Sequence, residues 1–380
     1  MSQVTIVGCD LHDRSMLLRV ALGSKEPHEK SFANDIDGRW VMIQHLTEFA
    51  RKHGSERIVF VYEASGQGFG LYDLLQYHGI EAYVLAPAHL PKTAKGKKNK
   101  TDARDAQMLL EQARGYVLAG NQLPIVWTPP LRLRNDRELV RGRLEAAEAV
   151  TRIKLQIFSF LKRYGIVTPE WFRKSRVWSR RFVRWLKEQA ERMDQVLNPV
   201  LLALVERFEL MRGQVTTLDR HLRQLAKTDR YRVPVDSLLK IPGVGRLTAL
   251  TFLTEMGDLT RFSNRRQVAA YLGLCPSSFE TGLADDRKGH ITRQGTGRVR
   301  KVLCQATWTG IRRDTATAEA WQRIRGDKPG RAKKAVVALM RILAITMWHR
   351  ALDAGVSEEL TSPPPKPPSW ITPPSGSLAG

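Results

Sequence analysis

The sequence predicts an α/β domain followed by a longer, mainly α-helical region. Residues 1–125 alternate short β-branched runs with amphipathic helical stretches. Beyond them apolar residues recur at steps of three and four over long distances, and turn residues become sparse.

Within the first region, VTIVGCDLH, MLLRVAL and KSFAN read as three strands joined by short turns, an antiparallel meander. A helix follows over RWVMIQHLTEFARKHG, with Val41, Leu46 and Phe49 on its apolar side and Gly54 as its stop. The apolar run RIVFVYEASG then reads as a buried strand. After it come a short helix around LYDLLQYHG, the strand EAYVLAP, the basic loop KTAKGKKNK and the helix TDARDAQMLLEQARG, ended by Gly115. Three antiparallel strands followed by helix, strand, helix, strand, helix is the order of an RNase H-like fold, in which the first and fourth strands are neighbours.

Residues 126–234 are expected to be helical. Leu197, Leu201, Leu204, Phe208, Met211, Val215, Leu218, Leu222 and Leu225 alternate steps of four and three, a coiled-coil seam. Leu139, Ala146, Val150, Ile153, Ile157 and Leu161 repeat at helical spacing on its expected partner, either within one chain or between chains. Between them, WFRKSRVWSRRFVRWLK interleaves Trp171, Phe172, Trp178, Phe182 and Trp185 with seven basic residues. Such a segment is either a stacking surface for unpaired bases or an amphipathic helix whose aromatics are core. Residues 235–354 form a second helical region, and the tail 355–380, rich in Pro, Ser and Gly, is expected to lack a fixed fold.

The 380 residues carry a formal charge of +23, which implies a polyanionic partner. No stretch approaches the roughly 18 to 20 uncharged apolar residues that span a bilayer, and the start MSQVTIVGCD lacks a secretory pattern. A cytoplasmic protein with no membrane partner is expected. Cys9, Cys275 and Cys304 lack paired spacing, which argues against a zinc site or a disulfide framework.

The chemistry-bearing residues begin with four acids. Asp10 ends the first strand, Glu63 sits near the end of the fourth, and Asp102 and Asp105 open a helix on one face. Converging carboxylates repel unless a cation is present, and hard oxygen ligands select Mg²⁺ or Mn²⁺. Two such ions stabilise the attacking and leaving oxygens at a phosphate, so phosphoryl transfer suits the set. Lys92, Lys95, Lys97, Lys98 and Lys100 lead directly into Asp102 and would hold a nucleic-acid backbone. SLLKIPGVGRLTALTFLTEMGDLTRF reads as a helix-hairpin-helix, with Gly243 and Gly245 admitting a phosphate to backbone N–H groups.

GCDLH, VYEASG and KTDARDA, followed by YLGLCPSSFETGLADDRKGHITRQGTGRVRKVL, resemble the bridge-RNA-guided DEDD insertion-sequence recombinases, a group that includes the Piv invertases. The resemblance runs from Asp10 to about Trp348. It implies a RuvC-like domain carrying the four acids, a coiled coil and a C-terminal transposase domain. It further implies donor and target double-stranded DNA, a non-coding guide RNA, nucleoid association when active, and a homo-oligomer from dimer to tetramer. The composite site would then form in trans. A nucleophilic serine is also implied, just before a glycine; here the residue before Gly282 is Thr281, with Ser277 and Ser278 as neighbours. Threonine supplies an oxygen nucleophile once a base or metal activates it, although its methyl group crowds the attack. Around Gly289, Gly295 and Gly297 crowd Arg287, Lys288, His290, Arg293, Arg298, Arg300 and Lys301, suited to a scissile phosphate. The rival readings are a metal-dependent nuclease or junction resolvase that uses water, and a non-enzymatic nucleic-acid binder.

Overall fold

The computed structural model describes residues 3–91, 101–175, 177–279 and 287–355. They fall into two compact units, one ending at Thr128 and the other beginning at Pro129.

The first unit is built on a sheet of five strands: β1 (Gln3–Leu11), β2 (Ser15–Leu22), β3 (His28–Ala33), β4 (Ser55–Glu63) and β5 (Glu81–Leu85). Their order is β3-β2-β1-β4-β5. β1 pairs antiparallel with β2 and β2 with β3, whereas β1–β4 and β4–β5 are parallel. A crossover helix, α1 (Ile36–Lys52), therefore separates β3 from β4, and α2 (Gly70–Tyr77) separates β4 from β5.

Burial on both faces follows from the pleat, because successive side chains point to opposite sides. Val7, Cys9, Met16, Leu18, Phe60 and Tyr62 meet Met42, Leu46, Leu71 and Leu74 of α1 and α2. Ile6, Ala21, Val59 and Val61 meet Leu109, Leu110 and Ala113 of α3 (Asp102–Ala119) on the other face. Gly8 lies under α3, where an added Cβ would come 2.3 Å from the Leu110 amide nitrogen and 2.4 Å from the Ala106 carbonyl oxygen. Glycine there lets the helix backbone rest directly on the strand.

Two local expectations are corrected. Val41 is 54% exposed, and the buried face of α1 is instead Met42, Ile43, Leu46 and Ala50. The last helix does not stop at Gly115; it runs on to Ala119, and Gly120 ends it in the left-handed conformation at φ 71°.

Among the described residues the second unit is helical apart from one hairpin. Its first helices are α4 (Leu131–Arg163), α5 (Glu170–Ser175), α6 (Arg180–Glu191) and α7 (Asn198–Leu225). The seam on α7 is buried at Leu201, Phe208, Leu222 and Leu225, joined by Val205, and packs along α4 of the same chain. Arg143 of α4 grips Asp219 of α7 with two hydrogen bonds, 2.8 and 3.2 Å. The aromatics of α5 and α6 belong to the core: Phe172 stacks on Phe182 at 3.5 Å between ring centroids, and Trp178 meets Phe182 and Phe208 edge-on or tilted. They are therefore no platform for bases.

Then follow α8 (Asp229–Leu239), α9 (Arg246–Met256), α10 (Arg265–Tyr271), the antiparallel hairpin β6 (Pro276–Phe279) and β7 (Arg287–Ile291), α11 (Gly297–Arg313), α12 (Thr315–Arg325) and α13 (Ala332–Asp353). Charged anchors tie α4 to this part. Asp136 accepts two bonds from Arg230, 2.9 and 2.8 Å, and a third from the Tyr231 hydroxyl. The buried Glu255 is held by Arg141 at 2.8 and 3.1 Å, with Arg137 at 3.9 Å. The long seam and the C-terminal helices therefore form one unit.

One helix departs from the membrane expectation: Pro329–Asp353 is long and apolar enough to cross a bilayer, with a mean hydropathy of 1.4 over its best window. Arg341 interrupts it, and Ala335, Leu339, Met340, Ala344 and Met347 are buried within the unit. The three cysteines are free thiols, and burial pushes the Cys9 thiol far up.

Candidate metal and nucleic-acid site

Cys9 pairs with Tyr62 in the parallel ladder, so Asp10 and Glu63, one residue further on, stand at the same end of neighbouring strands. The close seat of α3 on Gly8 brings the first turn of that helix to the same edge. Asp10 and Asp102 meet there through a residue that the acid pattern did not single out. His12 Nε2 lies 3.0 Å from Asp10 Oδ2 and 3.2 Å from Asp102 Oδ1. One ligand atom from each of the three lies within 4.8 Å of the others.

The turn that carries His12 is fixed from beneath. Asn34 Nδ2 donates to the His12 carbonyl at 2.6 Å and to Gln67 Oε1 at 2.5 Å, and Arg39 Nε donates to Asn34 Oδ1 at 2.8 Å. Gln67 in turn donates to Asp13 at 3.2 Å. Its place in the ASGQ segment after Glu63 ties the two strand ends together.

Burial raises the Asp10 carboxyl above the usual carboxylate range. His12 offsets part of that, and the charges of Asp105 and Asp102 add to it. For His12 burial acts downward, but the Asp10 and Asp102 carboxylates outweigh it and hold the imidazole above its ordinary value. Two carboxylates facing each other across an imidazole repel, and a divalent cation would relieve that repulsion. Two carboxylates with a third nearby fit a hard divalent cation.

Asp10 and Asp102 are thus brought together, and Asp105 is close enough to act on Asp10. Among the described residues no hydrogen bond or ion pair joins the Glu63 carboxylate to the other acids. His12 was legible only as the last letter of GCDLH, two residues past Asp10 at the strand end.

The remaining expected residues separate into kinds. Thr281 and Lys92, Lys95, Lys97, Lys98 and Lys100 lie outside the described residues, as do the side chains of Ser278, Arg287 and Lys288. Ser277 donates its hydroxyl to the His290 carbonyl at 3.0 Å. Gly243, at φ 86°, faces α11, where a Cβ would stand 2.2 Å from the Ala306 carbonyl oxygen; that close approach accounts for the glycine. Gly245 caps α9 with open space around it. Arg300 Nη1 donates to the carbonyls of Leu272, Gln294 and Gly295 at 3.0, 3.0 and 3.3 Å. Arg293, at φ 55°, donates its backbone N–H to Gly273. Arg298 and Lys301 pair with Glu145 and Glu148 of α4.

A mixed α/β unit with acids gathered at one sheet edge, followed by a helical unit, defines a DEDD-type transposase architecture, and such domains use divalent metal ions. Residues 7–166 match the family model described as a transposase of the DEDD IS110 type, and residues 235–322 match the one described as Transposase IS116/IS110/IS902 family. The chain belongs to this family of enzymes that act on DNA. It is 34% identical over 254 residues to protein y4qE of Sinorhizobium fredii, covering 67% of this chain and 59% of that one. It is 27% identical to y4rJ of the same organism over 88% of this chain and 87% of that one. It is 26% identical to the transposase for insertion sequence element IS1111A of Coxiella burnetii, over 76% of each.

Proposed function

We propose that the chain is the site-specific recombinase of an insertion sequence, cutting and rejoining donor and target double-stranded DNA under the direction of a guide RNA. The observation that carries the reading is the meeting of Asp10, His12 and Asp102 at one edge of the α/β unit, within the stretch that matches the DEDD model. Asp10, Glu63, Asp102 and Asp105 are the acids of a RuvC-like site, and Thr281 is the nucleophile. When bound, Mg²⁺ or Mn²⁺ would neutralise charge on the reacting phosphate and lower the barrier to deprotonating a hydroxyl. Asp10 and Asp102 hold that charge in place, with His12 beside them to carry a proton.

The Thr281 oxygen loses its proton, attacks phosphorus and forms a phosphoester as the bond to the leaving DNA oxygen breaks and that oxygen takes up a proton. Rejoining is the reverse with a new strand end, so no external energy source is needed. The IPGVG turn, read as a helix-hairpin-helix, and Lys92, Lys95, Lys97, Lys98 and Lys100 hold backbone phosphates, as do Arg287, Lys288, Arg293 and Arg298. The protein works as a homo-oligomer, dimer to tetramer.

The test is to react the protein with DNA nicked beside the cut site, trap any adduct and locate the phosphorylated residue by peptide mass spectrometry. A phosphothreonine at Thr281 is expected. A mark on Ser277 or Ser278 moves the role there, and cleavage without an adduct favours the hydrolytic nuclease. Sequencing RNA that copurifies with the protein tests the guide.

A further inference from the structure

Between the two segments that match family models, α6 and α7 enclose an open groove of about 560 Å³, lined by Arg180, Arg184 and Lys187 on one side and Glu209, Arg212 and Gly213 on the other. We propose that this groove is a docking surface for the sugar-phosphate backbone of duplex DNA. The proposal rests on the reading that the chain acts on DNA, and it concerns a site with no part in the chemistry at the acids.

The charge arrangement is costly without an anion. Arg180, Arg184 and Lys187 stand at i, i+4 and i+7, on one face of α6, where like charges repel. Arg180 also occupies the first turn, at the positive end of the helix dipole, and that turn holds no acid. Among the described residues neither Arg180 nor Arg184 has an ion-pair partner; both are exposed. A helix selected only for stability would place Asp or Glu at that end.

Across the groove, Arg212 is held in position. Its Nη1 donates to the Trp178 carbonyl at 2.7 Å, which leaves the rest of its guanidinium fork for a ligand. Burial and the positive charge of Arg212 both lower the Lys154 ammonium. Among the described residues Glu209 is the single carboxylate lining the groove, and it is occupied by Lys187 at 2.7 Å. Gly213, with nothing within 4 Å of a notional Cβ, leaves the α7 wall flat.

The aromatic side chains select among nucleic acids. Trp178 and Phe182 are turned into the core, Trp185 stacks on Phe182, and Trp171 is covered by Arg181 at 4.3 Å. A groove of guanidiniums without a free ring suits phosphates of a stacked duplex; unpaired bases need a ring to stack on.

The experiment measures affinity of the full chain for a labelled DNA duplex by fluorescence anisotropy across a salt series. Arg180→Gln with Arg184→Gln is expected to lower the slope of log K against log salt by about 2, since each phosphate contact contributes about 0.9. The exposed pair Arg220→Gln with Arg223→Gln removes the same charge outside the groove and is expected to leave the slope within about 0.5 of the parent. Glu209→Gln removes the one acid, frees Lys187 and is expected to raise affinity several-fold, a gain that misfolding does not produce. Equal effects from both arginine pairs, or no gain with Glu209→Gln, overturn the proposal. So does a loss confined to an RNA duplex. None of these readings depends on cleavage, so an inactive metal site leaves the test intact.

Discussion

Gly8→Ala tests whether the seat of α3 on β1 sets the metal site. The new methyl carbon would stand 2.3 Å from the Leu110 nitrogen and 2.4 Å from the Ala106 oxygen. Ordinary contact begins near 3.4 Å, so helix and strand must part by about 1 Å, and both obstacles are backbone. Overpacking of this kind costs about 1 to 3 kcal/mol. Asp102 and Asp105 ride on the first turn of α3 whereas Asp10 and His12 ride on β1, so the same movement opens the gap across which His12 now reaches at 3.2 Å. A misplacement of about 1 Å in a reacting constellation costs about a hundredfold in rate. The control is Val61→Ala, which truncates the side chain paired with Gly8 in the ladder without pushing α3. DNA cleavage in Mg²⁺ or Mn²⁺ should be measured at a temperature where thermal melts show both variants folded. Cleavage near the parent rate in Gly8→Ala, or an equal loss in both variants, would refute the reasoning.

Alanine at Asp10, Glu63, Asp102 or Asp105 is expected to abolish cleavage while DNA binding survives, and Asp10→Ala with Asp102→Ala should also erase any rise in melting temperature produced by Mn²⁺; calorimetry with and without chelator checks the latter. Arg300→Ala removes the donor shared by three carbonyls at the base of the β6–β7 hairpin and should destabilise by about 1 to 3 kcal/mol, seen in denaturant melts, without changing the salt slope of DNA binding. A slope lowered by about 1 would instead make Arg300 a phosphate contact. Glu255→Ala leaves Arg141 with only Glu138 and the mostly buried Arg137 with only the Thr254 carbonyl, an expected loss of about 1.5 to 3 kcal/mol by the same melts.

The α/β part was legible because its signal is local. Most of its strands are short apolar runs between turns, and the parallel pairing of β1 with β4 follows once α1 is seen to cross over. Val41 misled because it stands five residues before Leu46, a step that turns it away from the Leu46 face, and the packing against the sheet selects Met42 and Ile43 instead. The seam on α7 was equally legible, as was its partner helix, which the structure shows as α4; what periodicity does not encode is that the two pair within one chain, where Arg143 reaches Asp219. The acids were found by their places at element ends. His12 escaped because a histidine after an aspartate carries no signal until Asn34 and Gln67 fix its turn.

The formal charge of +23 pointed to a polyanion, yet it does not locate one, and the geometry supplies a criterion that does. Arg141, Arg143 and Arg230 each commit Nε and Nη2 to the two oxygens of one carboxylate, and Arg300 commits Nη1 to three carbonyls. Those cations hold α4 against α7, α8 and α9, or close the base of a hairpin. Losing one breaks packing and should leave the salt dependence of DNA binding unchanged, because no phosphate counterion was exchanged there. Arg180 and Arg184 have no such partner among the described residues and repel each other along one helix face, so their loss should relieve the fold while weakening binding. Loss of a structural arginine therefore lowers stability and leaves the salt slope as it was, whereas loss of a ligand-binding one lowers the slope and spares stability, so measuring both on one variant from each kind separates the two without a structure of the complex.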